Sequence, residues 1–236
     1  MTLLFTPPTA SVPIAGSDTL FPVRRIYCVG RNYVDHVREM REGDERDDPF
    51  FFQKPSDAIV ADGARVPYPP RTGDFQFEGE LVAAIGTAGT NVPLERAHEL
   101  VLGYAVGIDL TRRDRQRDCR EKRISWEAGK AFDASAPCGP LTPRELAGDL
   151  STAELRLTVN GETRQRTSLG LMIWNVAEII THLSTDHQLC PGDLIYTGTP
   201  AGVGAIVPGD LVRAEIDHLQ PLSVTITEKG SQSHGC

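Results

Sequence analysis

Apolar positions along this chain recur mostly at every second residue or in short runs, a rhythm that predicts strands more often than helices. Arg25-Ile26-Tyr27-Cys28-Val29 reads as a short strand stopped by Gly30. Phe50-Phe51-Phe52 reads as another, and Pro67, Pro69 and Pro70 mark a loop leading to a third. That third strand is the apolar run Phe77, Leu81, Val82, Ala83, Ala84 and Ile85, interrupted by Glu78 and Glu80. A further apolar run over residues 102–108 ends at Asp109. Leu155-Arg156-Leu157-Thr158-Val159 alternates and meets Asn160-Gly161, a hairpin-turn signal. Pro-Gly-Asp occurs at 191–193 and 208–210, each time before an apolar strand, and Pro then Gly suits the centre of a type II turn.

Helical spacing is rarer. Val176, Ile179, Ile180 and Leu183 follow the i, i+3, i+4, i+7 rule and predict one amphipathic helix around 174–185. Residues 32–40 and 112–130 are helix-compatible. Residues 41–49 are almost entirely charged and predict a surface loop, which beside a catalytic helix can serve as a lid. Residues 1–22, rich in Pro, Ser and Thr, predict an irregular arm. No linker divides the remainder, so 23–236 is expected to form a single domain.

Composition narrows the partners. A formal charge of -8 and the lack of any Lys/Arg run argue against nucleic acid and against an anionic membrane surface. An anionic substrate would therefore need cations gathered locally, with Arg112, Arg113, Arg115 and Lys130 as candidates. Five scattered cysteines without a C-x-x-C suit reduced thiols. No apolar run approaches the ~18 residues of a membrane span, and the first residues break at Pro7-Pro8 before a signal core develops. The expectation is a soluble cytoplasmic protein.

The chemistry gathers on carboxylates. Alternate strand residues share a face, so Glu78 and Glu80 stand side by side where the flanking residues indicate burial. Two buried like charges need a cation or a proton. With Asp109 as a third oxygen donor and no Cys or His in the group, the set suits a hard ion, Mg²⁺ or Mn²⁺. His36 and Glu39 lie three apart in a helix-compatible segment, the spacing at which a carboxylate can orient an imidazole for general-base work. The run from Gly198 to Gly204 is neither a Walker A loop nor a dinucleotide fingerprint. It reads either as a tight turn or as a cradle in which backbone N–H groups and the Thr199 hydroxyl receive a substrate carboxylate. Gln116 and Lys130 are ordinary surface types by themselves. The absence of a G-x-S-x-G elbow, a Cys–His pair and an H-E-x-x-H motif favours metal-activated water over covalent catalysis.

Taken in order, these segments resemble the fumarylacetoacetate hydrolase family over nearly the whole chain. The markers are Val29-Gly30-Arg31-Asn32-Tyr33 with His36 and Glu39, Gln53-Lys54-Pro55, Glu78-x-Glu80-Leu81, and Gly107-Ile108-Asp109-Leu110-Thr111. They continue with Arg113-Asp114-x-Gln116, Lys130-Ala131-Phe132-Asp133, Val159-Asn160-Gly161-Glu162 and Thr197-Gly198-Thr199-Pro200. The resemblance implies a mostly β, mixed α+β fold: a β-sandwich or roll with a few short helices, usually a homodimer. It implies one Mg²⁺ or Mn²⁺ per chain held by Glu78, Glu80 and Asp109, with His36 and Glu39 activating water. Gln116 and Lys130 match catalytic positions at the developing oxyanion, and Arg113, Thr199, Lys54 and Gly198 match substrate-binding positions. Such proteins act on carbon–carbon bonds of diketo acids, and relatives decarboxylate or tautomerise oxo acids. Further cues, among them Pro49-Phe50-Phe51-Phe52 and Asp109-Leu110-Thr111-Arg112-Arg113-Asp114, narrow the resemblance to acylpyruvate-cleaving members. Two departures stand out. Gln76-Phe77 replaces a His-rich pair before the first glutamate, and Gly79, where a larger apolar residue is usual, is expected to loosen the strand.

Overall fold

The computed structural model describes residues 4–35 and 47–229. Strand outweighs helix, 39% against 20%, so the mostly β architecture expected from the sequence is the one observed. Two sheets dominate. The first has six strands in the order Thr142–Pro143, Val101–Ile108, Gly79–Ile85, Asp193–Tyr196, Arg25–Gly30, Phe50–Lys54. Its neighbours are antiparallel except Asp193–Tyr196 beside Arg25–Gly30. The second has five, in the order Glu162–Ser168, Glu154–Val159, Leu211–Ile216, Leu222–Thr227, Arg65–Pro67.

The two-residue side-chain period sorts the core. Leu81 joins Val106, Ile108, Leu155, Leu157, Val212 and Val224 in one cluster, which brings the two sheets together. Further along the same strand, Ala83 and Ile85 pack with Tyr27, Ile195 and the helix residues Ile179, Ile180 and Leu183. Val82 and Ala84 point the other way, among Ile26, Cys28, Leu194 and Tyr196. The predicted amphipathic helix runs Val176–Asp186. It starts late because Asn175 closes a capping box with Glu178 and because Trp174 is held outside the helix by Asn32. Asn32 also donates to the Thr197 carbonyl, 2.7 Å away, and so ties the helix entrance to the 197–199 loop.

Turn chemistry follows the sequence. Asn160 and Gly161 take φ of 52° and 84°, and Gly192 and Gly209 take 99° and 98°. Three readings change. Ser11–Pro13 and Leu20–Pro22 form an antiparallel pair where an irregular arm was expected, because Val12 and Phe21 are buried in the core beside Ile26. The Glu78 strand is broken: Phe75–Phe77 leaves to pair with Thr111–Arg112 and Gly204–Ala205, and Gly79–Ile85 stays in the main sheet. Gly79 does not loosen anything. A Cβ there would lie 3.0 Å from Leu157 and 3.2 Å from Gln165, so its bareness admits close packing. Cys28, Cys119, Cys138 and Cys190 are unbridged, as expected for reduced thiols. Among the described residues no helix is long and apolar enough to cross a membrane.

Candidate active site

Strand register builds the acidic cluster. Gly79 pairs with Ile108 and Glu80 with Gly107, and the Asp109 N–H donates to the Glu78 carbonyl at 2.8 Å. The three side chains therefore emerge from adjacent backbone where two interior strands of the sheet end. They are buried, and one carboxylate oxygen from each lies within 4.8 Å of the others.

Three cations answer them unevenly. Lys130 Nζ donates to Glu78, Asp109 and the Thr111 hydroxyl, each at 2.7 Å, which uses all three of its protons. Arg113 pairs with Glu78 and also donates to Gln116 and Gln76. Lys54 Nζ stands 2.8 Å from Asp109 Oδ1. Glu80 is the exception. It accepts from the Gly198 N–H at 2.8 Å, and among the described residues no cation pairs with it. Burial, then Asp109 and Glu78, push the Glu80 carboxyl well above its usual range, against a smaller opposing pull from Lys130. Burial draws the Lys130 ammonium down, but Asp109 and Glu78 outweigh it and the net direction is upward. A buried all-oxygen set with one carboxylate left uncompensated fits a hard divalent ion.

The donors are carried on short helices. Arg113–Glu121 presents Arg113 and Gln116, three apart on one face. Glu127–Lys130 ends on Lys130 and crosses the first helix at Gly129, where a Cβ would sit 2.8 Å from Gln116 atoms. Asp114 anchors the first helix. It accepts from Thr72 at 2.6 Å and from the N–H groups of Gly73 and Arg115 at 2.9 and 2.8 Å. Burial alone would raise its pKa, but these bonds bring it below 3.8. A depressed carboxylate stabilises the fold above its unfolded value and loses that contribution as pH falls through the folded one. Asp114→Asn is therefore expected to lower the melting temperature at neutral pH, with the deficit shrinking below pH 3.8. A pH-independent deficit would contradict this.

One positioning residue was invisible in the sequence. Gln165, buried in the otherwise polar strand Glu162–Ser168, accepts from the Gly79 N–H at 2.9 Å. It donates to the Thr199 hydroxyl at 2.8 Å and the Pro200 carbonyl at 2.9 Å. It thus clamps the 198–200 loop to the backbone between the two glutamates. Gln165→Leu leaves these groups unsatisfied and is expected to cost about 2–4 kcal/mol, measured by urea unfolding. Wild-type stability would remove the clamp.

The predicted residues do not all reach the cavity. Its wall includes Glu78, Glu80, Arg113, Gln116, Lys130 and Thr199, together with Arg31, Phe52 and Trp126, to which the sequence assigned no role in the site. Lys54 and Gly198, expected at substrate-binding positions, stand outside that lining and contact the acidic cluster. Lys54 donates to the Leu110 and Lys130 carbonyls beside Asp109, and Gly198 donates to Glu80. The Thr199 hydroxyl is already engaged, donating to the Gly79 carbonyl at 3.0 Å. His36, Glu39 and most of the expected lid, up to residue 46, lie outside the described residues.

A profile of the Fumarylacetoacetate (FAA) hydrolase C-terminal family matches residues 25–227. The chain belongs to the fumarylacetoacetate hydrolase family. It is 44% identical over 177 residues to a fumarylpyruvate hydrolase of Ralstonia sp, covering 75% of this chain and 92% of that one. It is also 41% identical over 194 residues to the mitochondrial oxaloacetate tautomerase of Rattus norvegicus, covering 82% and 87%. Among solved structures, fumarylpyruvate hydrolase from Pseudomonas aeruginosa in complex with Mn²⁺ and pyruvate superposes with a TM-score of 0.94. That pair shares 51% identity over 96% of this chain and 100% of the other.

Proposed function

We propose that this member of the family is a divalent-metal-dependent hydrolase that cleaves a carbon–carbon bond of a 2,4-diketo acid, fumarylpyruvate, to fumarate and pyruvate. The observation that carries the reading is the buried triad of Glu78, Glu80 and Asp109, with Glu80 left without a cation among the described residues. The Mn²⁺ and pyruvate named for the Pseudomonas aeruginosa relative support it.

Glu78, Glu80 and Asp109 would hold the ion, Mg²⁺ or Mn²⁺. Bound there, it supplies Lewis-acid polarisation of the keto-acid oxygens and neutralises enolate charge. His36, oriented by Glu39, takes a proton from water, which attacks the distal carbonyl. Gln116 and Lys130 face the same cavity and donate to the oxyanion that forms there, Lys130 by giving up one of the three bonds it makes to Glu78, Asp109 and Thr111. Arg113, between Glu78 and Gln116, holds both in place and adds positive charge for an anionic substrate. The carbon–carbon bond breaks as the electron pair passes to the pyruvate half, which is then protonated. His36→Ala is expected to keep the ion, by metal analysis, while losing turnover; unchanged rates would remove His36 as the base.

The reading extends to one catalytic domain over 23–236 acting as a cytoplasmic homodimer in aromatic catabolism through gentisate, on the family resemblance. The likeness to the oxaloacetate tautomerase supplies the rival. Fumarylpyruvate, acetylpyruvate and oxaloacetate are therefore assayed in parallel with Mn²⁺ and with EDTA. Metal-dependent release of fumarate and pyruvate from the first supports the proposal. Turnover of oxaloacetate alone would replace hydrolysis with tautomerisation or decarboxylation on the same site.

A further inference from the structure

Cations also gather away from the carboxylates. Arg112 and Phe132, near neighbours in the chain of Arg113 and Lys130, help line a separate groove with Tyr68, Pro69, Pro70 and Lys229. Its volume is ≈ 580 Å³, within the usual range for small-molecule sites. None of Glu78, Glu80 or Asp109 lines it.

Two features give the groove a chemical preference. The first is unspent positive charge. Arg112 Nε is buried with no hydrogen-bond partner, and among the described residues its guanidinium makes no ion pair. It lies 4.3 Å from the Phe132 ring centroid. Lys229 Nζ sits 5.6 Å from the Tyr68 centroid. Burial lowers the Arg112 pKa, Asp133 and Asp114 oppose that, and Arg115 and Arg71 add to it, which places two more cations and two carboxylates nearby. This concentration occurs on a protein whose formal charge is -8. The second feature is flat apolar wall. Tyr68 packs edge-on against Phe75, and Phe75 against Phe132, with centroids 5.4 and 6.1 Å apart. Arg112 lines the groove with no acceptor for its buried Nε, so an anion set against the guanidinium adds a charge-assisted interaction to an uncompensated cation. The rings reward a planar partner. Asp133 on the lining weighs against a highly charged anion such as a polyphosphate.

We propose that this groove binds a small planar organic carboxylate, its carboxylate on Arg112 and Lys229 and its plane against the wall of Tyr68, Pro69 and Pro70. The occupant is distinct from the diketo acid of the carboxylate site. It would nonetheless touch Phe132, which also lies 5.4 Å from Lys54 Nζ, the partner of Asp109.

Benzoate is the probe, titrated calorimetrically into the full chain with Mn²⁺ and saturating pyruvate so that the carboxylate site is filled. Saturable binding is expected, with benzyl alcohol silent. Arg112→Met should weaken binding about 10-fold, and Lys229→Met should weaken it about 3-fold. Asp133→Asn should tighten it about 3-fold by removing the opposing charge. Lys229 and Asp133 are exposed, so those two variants stay informative if Arg112→Met unfolds. No saturable heat, an affinity indifferent to all three charges, or weaker binding in Asp133→Asn would overturn the proposal.

Discussion

Glu80→Gln is expected to weaken divalent-ion binding more than about 100-fold, since even groups that only orient a metal ligand are worth 10–100-fold. Turnover is expected to fall by about 10³-fold, the equivalent of roughly 4 kcal/mol of lost transition-state stabilisation. The reason is specific to this position. Glu78 and Asp109 already face Arg113, Lys130 and Lys54, so the carboxylate whose charge is left for an ion is Glu80. Glutamine keeps the shape and can still accept from the Gly198 N–H.

The same substitution carries an opposite signature in metal-free protein. A carboxyl raised in the folded state favours folding below its unfolded pKa, near 4.5, and that contribution disappears as pH rises through the folded value. Wild type in EDTA should therefore lose stability on going from acid to neutral pH, and Glu80→Gln should lose less. At neutral pH without metal the variant should melt higher than wild type. Excess Mn²⁺ should reverse the order, because an ion bound 100-fold above its Kd adds about 2.7 kcal/mol to wild type alone. Melting scans with EDTA and with Mn²⁺ check both signs, and identical curves for the two proteins would contradict the assignment of Glu80.

Lys130→Met has the second large effect. Removing one partner of a buried ion pair typically costs about 3–5 kcal/mol, and Lys130 serves two carboxylates and Thr111 at once. The lower end applies here, since Glu78 keeps Arg113 and Asp109 keeps Lys54. The uncovered negative charge should hold a cation more tightly, so Mn²⁺ should restore much of the lost stability. Turnover should stay down by about 10²–10³-fold even with metal bound, the cost of removing an oxyanion donor. The split is decisive: full stability rescue with full activity would leave Lys130 a structural cation only.

How much of this was legible depends on what kind of signal each residue leaves. Glu78, Glu80 and Asp109 could be read because charged residues inside apolar strands are conspicuous and the two-residue period fixes their side. The helix at 176–186 was legible from four apolar residues, and its late start hung on Asn32, more than a hundred residues away. The pairing of Ser11–Pro13 with Leu20–Pro22 was not legible, because its anchors, Val12 and Phe21, are lone apolar residues in a Pro- and Ser-rich stretch. Gln165 left no trace, since a glutamine among Glu, Thr and Arg looks solvated until the fold brings Gly79 and Thr199 to it. Lys54 and Gly198 were readable as belonging to the site, but their contacts to Asp109 and Glu80 were not, because residue type does not say which neighbour the fold supplies.

The central claim is that water is added across a carbon–carbon bond here, and isotope transfer tests it most directly. Metal-depleted protein is given Mn²⁺ and fumarylpyruvate in H₂¹⁸O, and the fumarate formed is weighed by mass spectrometry. The account predicts one ¹⁸O in the fumarate carboxylates, with no fumarate formed when EDTA is present. Consumption of fumarylpyruvate without labelled fumarate, or full turnover in EDTA, would contradict it.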